Sequence, residues 1–172
     1  MANGLAGNAP IVSEGEEYGL FREALFTVCR SLAVTMAGDG EGATHLIEMR
    51  VYGADTEEHA KTLAKSVVGS SLVKAMVYGK DANCGRILCA LGYAGVDFDP
   101  AGIEVFLEGT DGRVVFYTGG RVQAFDEDRA LALLSEKAVR FSCDMHMGSC
   151  EATAWGCDLT YDYVKINGDY RT

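Results

Sequence analysis

From His45 to Tyr52 the chain alternates: Leu46, Glu48 and Arg50 fall on one side, Ile47, Met49 and Val51 on the other. A period of two assigns each set to one face of a pleated strand, so one face of this segment must meet a core. Upstream, Phe21, Leu25, Val28, Cys29 and Leu32 recur at helical spacing. They predict an amphipathic helix over about residues 15–37, opened by a capping box of Ser13 and Glu16 and ended by Gly38. Downstream, Asp55 and Glu58 open a second helix that runs to Val68. A strand held between two helices excludes an all-β or all-α chain and predicts an α/β (α+β) architecture, a layered sheet with helices.

The remaining periodicities extend this pattern. Leu72 to Tyr78 reads as a further strand, which would make strand, helix and strand a right-handed crossover unit. Gly79-Lys80-Asp81-Ala82-Asn83-Cys84-Gly85 reads as a polar loop feeding a short helix through Leu91. Strands follow at Ile103–Leu107 and Val114–Tyr117 around an Asp111-Gly112 turn. Asp126 opens a helix to about Lys137, and strands near Val139–Met145 and Cys150–Leu159 precede an aromatic tail. The 21 glycines sit mostly at these joints. No linker or repeat interrupts them.

Charge and cysteine usage narrow the functions. Fifteen basic residues against 25 acidic ones leave a net charge of -10. Such a balance disfavours nucleic acid, whose binding needs clustered cations, and disfavours anionic membrane surfaces. No apolar run reaches the length of a membrane span. The six cysteines form no C-x-x-C pair and no secretory signal opens the chain. Cys29, Cys89 and Cys143, set among apolar residues, read as reduced core or half-buried thiols of a cytoplasmic protein.

Two loops and the tail offer ligand-binding chemistry. In Asp39-Gly40-Glu41-Gly42-Ala43-Thr44 the flanking glycines let the backbone turn tightly and present the Glu41 carboxylate to an amine or a shared proton. A solvated loop acid is the plainer reading. The 79–86 loop sets Arg86 near a helix N-terminus, where an anion could bind, although Arg86 pairing with an acid of the fold explains it as well. The tail from Asp158 to Thr172 alternates tyrosines with acids and aliphatics. It reads either as an edge strand with a solvated end or as an ordered segment offering Asn167, Arg171 and Thr172 to a ligand.

A catalytic engine is not visible in these residues. His45, His59 and His146 have no Ser or Cys partner in a recognisable motif. His146 with Asp144 is too sparse a set for a metal, so no metal or other cofactor is expected. Cys84 lacks an activating base, and Thr35 lies within the first helix, an unsuitable setting for a nucleophile.

Taken together, Ala2 through Asn8, Asp39 through Thr44, Ala64-Lys65-Ser66, Ser71-Leu72-Val73-Lys74, Gly79 through Ile87, and Trp155 through Thr172 resemble the bifunctional ornithine acetyltransferases, or glutamate N-acetyltransferases, of arginine biosynthesis. The segments occur in the family's order over essentially the whole chain, and the ending is the most specific. The resemblance implies an N-terminal-nucleophile-like acetyltransferase fold and a precursor that cleaves itself before a threonine. That threonine would carry the acetyl group from N-acetylornithine to glutamate, with acetyl-CoA an open third substrate. Glu41, Asn167 and Thr172 would bind substrate.

The family's Ala-Thr-Met-Leu motif is absent, and Ala33-Val34-Thr35-Met36 echoes it only in the wrong helix. His45 stands where the family usually has lysine, and Ala82 and Cys84 where it usually has proline and tryptophan. Residues 1–172 are therefore expected to be the carboxy-terminal portion of the enzyme, inactive without its amino-terminal chain and part of a heterotetramer when complete. The alternatives are a non-catalytic small-molecule-binding or interaction domain that keeps the pocket residues, and an N-terminal-nucleophile amidohydrolase or aminopeptidase.

Overall fold

The structure, a computed structural model, describes residues 3–170. The chain forms two compact units, Met1–Thr35 and Met36–Thr172. The first is dominated by helix α1 (Glu16–Gly38), whose last three residues belong to the second unit. Glu16 and Glu17 occupy the first turn, where carboxylates meet the helix dipole favourably. Gly15, not Ser13, directly precedes the first helical residue, so the expected capping box is not the start signal. Among the described residues none of α1 is buried, and Leu20, Phe21, Leu25, Phe26 and Leu32 are all exposed.

The second unit is built on a six-stranded sheet in the order β4-β3-β2-β5-β1-β6. Its strands are β1 (Leu46–Ala54), β2 (Glu104–Gly109), β3 (Gly112–Thr118), β4 (Arg121–Val122), β5 (Ala138–Asp144) and β6 (Cys150–Cys157). β1 pairs with β5 in parallel and with β6 antiparallel, while β2 pairs antiparallel with β5 and β3. The alternation in β1 is realised as expected: Ile47, Met49 and Val51 are fully buried. Across the register Val51 lies beside Cys143 and then Val105, and Met49 beside Phe141 and then Leu107. One apolar face thus runs through three strands.

Helices α2 (Glu57–Gly69), α3 (Ser71–Tyr78), α4 (Cys84–Gly92) and α5 (Glu127–Leu134) supply the rest of the core. α2 packs on β1 and β6 through Ala60, Leu63, Ala64 and Val67, while Ile87, Leu91 and Leu134 add further fully buried side chains. The opposite sheet face is polar. There Arg50 pairs with Glu151, Ser142 donates to Glu108, and the Trp155 indole donates to Glu48 at 2.7 Å.

Residues 72–78 depart from the expected strand. They form helix α3, because the Ser70 hydroxyl caps it by accepting from the Val73 N–H and because Val73, Met76 and Val77 share one buried face. A seven-residue apolar stretch fits either period, and the cap decides it. The expected crossover therefore does not exist in that form. From β1 the chain passes through α2, α3, α4, β2, β3, β4 and α5 before β5 takes the parallel place beside β1.

The tail is likewise no edge strand: residues Tyr161–Asp169 form helix α6, capped by Thr160. α2 is capped by Thr56, not Asp55, and α5 stops at Leu134 because Ala138 must already enter β5. Cys29 and Cys89 are exposed on their helices instead of buried, whereas Cys143 is buried as expected.

Candidate functional site

Glu41 sits at the centre of a tight turn in which the Ala43 N–H donates to the Gly40 carbonyl at 2.9 Å. Gly42 follows it with φ of 68°. A side chain at Gly42 would be strained by that backbone and would also lie 2.9 Å from the Tyr163 nitrogen. A β-carbon at Gly40 would meet the Cys157 sulfur at 2.6 Å. Both glycines are demanded by the close approach of this loop to β6 and α6.

Asp158 fixes the other end of the loop. Its fully buried carboxylate accepts from the Thr44 N–H at 2.8 Å, the His45 N–H at 3.1 Å and the Thr44 hydroxyl. His45 Nδ1 lies 2.9 Å from the same carboxylate. Burial pushes the Asp158 carboxyl up, but the hydrogen bonds from Thr44 and His45 outweigh it and hold it below its ordinary value. Two residues on, the buried Thr160 hydroxyl donates to the Gly42 carbonyl at 2.8 Å and accepts from the Tyr163 N–H at 3.1 Å. One side chain therefore starts α6 and ties it to the glutamate loop.

The consequence is a direct contact between Glu41 and Asn167. The Asn167 amide donates to a Glu41 carboxylate oxygen at 3.0 Å and to the Tyr163 carbonyl, one turn back in α6, at 2.9 Å. Glu41 is exposed, so its carboxylate is presented to solvent at a fixed place. Of the sequence-predicted residues, Glu41 and Asn167 are brought together, with no gap between them. Thr172 lies outside the described residues, as does Arg171.

Other candidates take structural roles. Thr35 donates its hydroxyl to the Ser31 carbonyl at 2.9 Å inside α1. Cys84 is buried and its thiol is pushed up to about 11, so it offers little thiolate. Arg86 donates to the Leu72 carbonyl at 3.1 Å and faces Asp81 at 3.6 Å, which joins α4 to α3. Thr44, His45 and Asp158 resemble a relay only superficially. The hydroxyl and the carboxylate both meet the ring at Nδ1, whereas a relay needs them on opposite ring nitrogens.

Asp158 and Thr160 were not singled out as functional residues by sequence reasoning. Thr160 carried a usable signal, a hydroxyl directly before a helical segment. Asp158 carried none, since its partners lie more than a hundred residues upstream.

A model of the ArgJ family matches residues 1–172. The arginine biosynthesis bifunctional protein ArgJ of Symbiobacterium thermophilum is 54% identical over 172 residues, covering 100% of this chain and 42% of that protein. The protein of the same name from Geobacillus stearothermophilus is 49% identical, with 100% and 41% covered. The crystal structure of arginine biosynthesis bifunctional protein ArgJ from Bacillus halodurans superposes with a TM-score of 0.89 at 43% identity, covering 99% of this chain and 78% of that one. The chain thus spans 42% or less of the length of the two curated relatives.

Proposed function

The chain belongs to the ArgJ family, and from that premise we propose that it takes part in acetyl transfer from N-acetylornithine to glutamate in arginine biosynthesis. It supplies part of the substrate pocket, as the carboxy-terminal portion of a longer enzyme. The observation that carries this reading is the contact of Glu41 with Asn167 on a loop secured by Asp158 and Thr160. A fixed carboxylate beside the oxygen of a carboxamide can accept from the ammonium group of an amino acid, both N–H groups of Asn167 being already engaged. Holding them in place lowers the entropy lost when substrate is oriented. Thr172 is the third residue proposed to contact substrate.

Nucleophilic chemistry in this scheme belongs to a threonine freed by self-cleavage and activated by its own α-amine. That residue lies in the amino-terminal part, together with the oxyanion donors, so residues 1–172 alone do not turn over substrate. The exposed apolar side chains of α1 support a partner of this kind, since a helix apolar on much of its circumference is ordinarily covered. Among the described residues no helix is long and apolar enough to cross a membrane. All six cysteines are free thiols, which supports a reducing cytoplasmic setting.

Replacing Glu41 with alanine in the complete enzyme is expected to lower kcat/KM for N-acetylornithine by roughly tenfold or more, the loss of one charged contact. Steady-state kinetics provide the readout. An unchanged kcat/KM would remove Glu41 from the pocket.

A further inference from the structure

At the far end of the polar sheet face three side chains converge that have no part in the Glu41 site. Glu104 begins β2 and Asp144 ends β5, and the two are register partners. His146 follows in the turn after β5. Its Nε2 lies 3.2 Å from a Glu104 oxygen and its Nδ1 3.5 Å from Asp144 Oδ1. One ligand atom from each residue falls within 4.8 Å of the others. Sequence spacing showed only Asp144 and His146, and pairing with β2 adds the third group.

The backbone of the turn is held in place, while the ring, which faces the two carboxylates with opposite nitrogens, would turn one of those nitrogens to a shared ion. Met145, Met147 and Gly148 donate their N–H groups to the carbonyls of Tyr52 and Gly53, pinning the turn to the end of β1. His146 is kept at φ of 50°, an uncommon conformation for a residue other than glycine, and its N–H donates to Asp144 Oδ1 at 3.0 Å. Gly53, itself at φ of 67°, makes room: a β-carbon there would lie 2.3 Å from that same oxygen. Behind Glu104, the Thr118 hydroxyl donates to its other oxygen at 2.6 Å. This is the supporting hydrogen bond that orients a ligating carboxylate.

We propose that Glu104, Asp144 and His146 bind a divalent transition-metal ion of the Zn²⁺ type, fastening the turn after β5 to the start of β2. Two carboxylates and a neutral imidazole carry two negative charges, matching a dication, and an imidazole favours zinc-like ions over Mg²⁺ or Ca²⁺. The face open to solvent leaves room for water to complete the coordination. Arg113 of β3, Tyr52 of β1 and Glu108 of β2 are further titratable groups near this end of the sheet. Arg113 is engaged over the Phe106 ring, 3.7 Å from its centroid. The role is structural, so the site does not depend on the acetyl-transfer reading.

The test is calorimetric titration of ZnCl₂ into the full chain after removal of metal with EDTA. Exposed Cys29 and Cys89 are first replaced by serine to silence competing thiolates. One Zn²⁺ per chain is expected at about pH 7.5. His146→Asn, a residue that tolerates positive φ, should abolish binding. Glu104→Gln, nearly isosteric, should do the same should His146→Asn fail to fold by circular dichroism. Thr118→Val should weaken it by roughly tenfold or more. Absence of binding by the parent chain, or an affinity untouched by either ligand substitution, would overturn the proposal in favour of a histidine merely bridged by two carboxylates.

Discussion

Asp158 shows how one buried side chain can organise a loop more than a hundred residues away in sequence. Its carboxylate satisfies two backbone donors, one hydroxyl and one ring nitrogen of residues 44 and 45. Replacing it with alanine leaves the two backbone donors without their acceptor, at about 1–3 kcal/mol for each that finds no water. We expect Asp158→Ala to lose at least about 2 kcal/mol in urea unfolding. The pH dependence has a definite sign. The folded carboxyl lies below its ordinary value of 3.8, so its stabilisation is fully present above that value and is lost as pH falls through the lower folded value. Unfolding measured between neutral and strongly acidic pH should therefore show the advantage of the parent over Asp158→Asn shrinking below about pH 4. A difference constant across that range would mean the carboxylate is not stabilised by these bonds. Glu41, by contrast, was legible from its two flanking glycines, because a tight turn leaves a local mark while a buried long-range acceptor leaves none.

At the scale of elements, the two helices that periodicity missed each start at a hydroxyl cap, as α2 does at Thr56. The pattern of β1 needed no cap, since the strict alternation of Ile47, Met49 and Val51 fits only a strand. Residues 72–78 and 161–169 were ambiguous in period, and hydroxyl caps at Ser70 and Thr160 made them helical. Thr160 also ties its helix to the glutamate loop, so the two effects can be separated by substitution. Thr160→Val should cost about 1–2 kcal/mol through the lost cap and the lost bond to Gly42. Hydrogen exchange should accelerate at the first amides of α6, and in the complete enzyme KM should rise. Thr160→Ser, which keeps the hydroxyl, should restore both. An α6 equally protected in the valine variant would show that the cap is dispensable.

For the whole molecule, the contrast is between a sheet unit with a continuous apolar core and a first unit whose helix buries nothing among the described residues. Leu20, Phe21, Leu25, Phe26, Val28 and Leu32 are each about half exposed or more. The chain alone should consequently self-associate. Phe21→Lys with Leu25→Lys should restore a monodisperse species by light scattering after size exclusion, and should weaken assembly with the proposed amino-terminal chain. A parent chain that is already monomeric at high concentration would count against this surface being covered in the complete protein.

Sequence alone determined the layered α/β class, the buried face of β1, the β2–β3 hairpin (though its turn is Thr110-Asp111, with Gly112 already in β3), the glutamate loop and the family resemblance. All of these rest on periodicity, turn chemistry or motif order, which are local along the chain. Tertiary structure decided that Leu72–Tyr78 and the tail are helices and that β5 takes the parallel place beside β1. It also decided that Asp158 holds the Glu41 loop and that Glu104 joins Asp144 and His146. Each depends on which residues distant in sequence become neighbours once the core is buried. That pairing is a property of the packed sheet, and no local pattern encodes it.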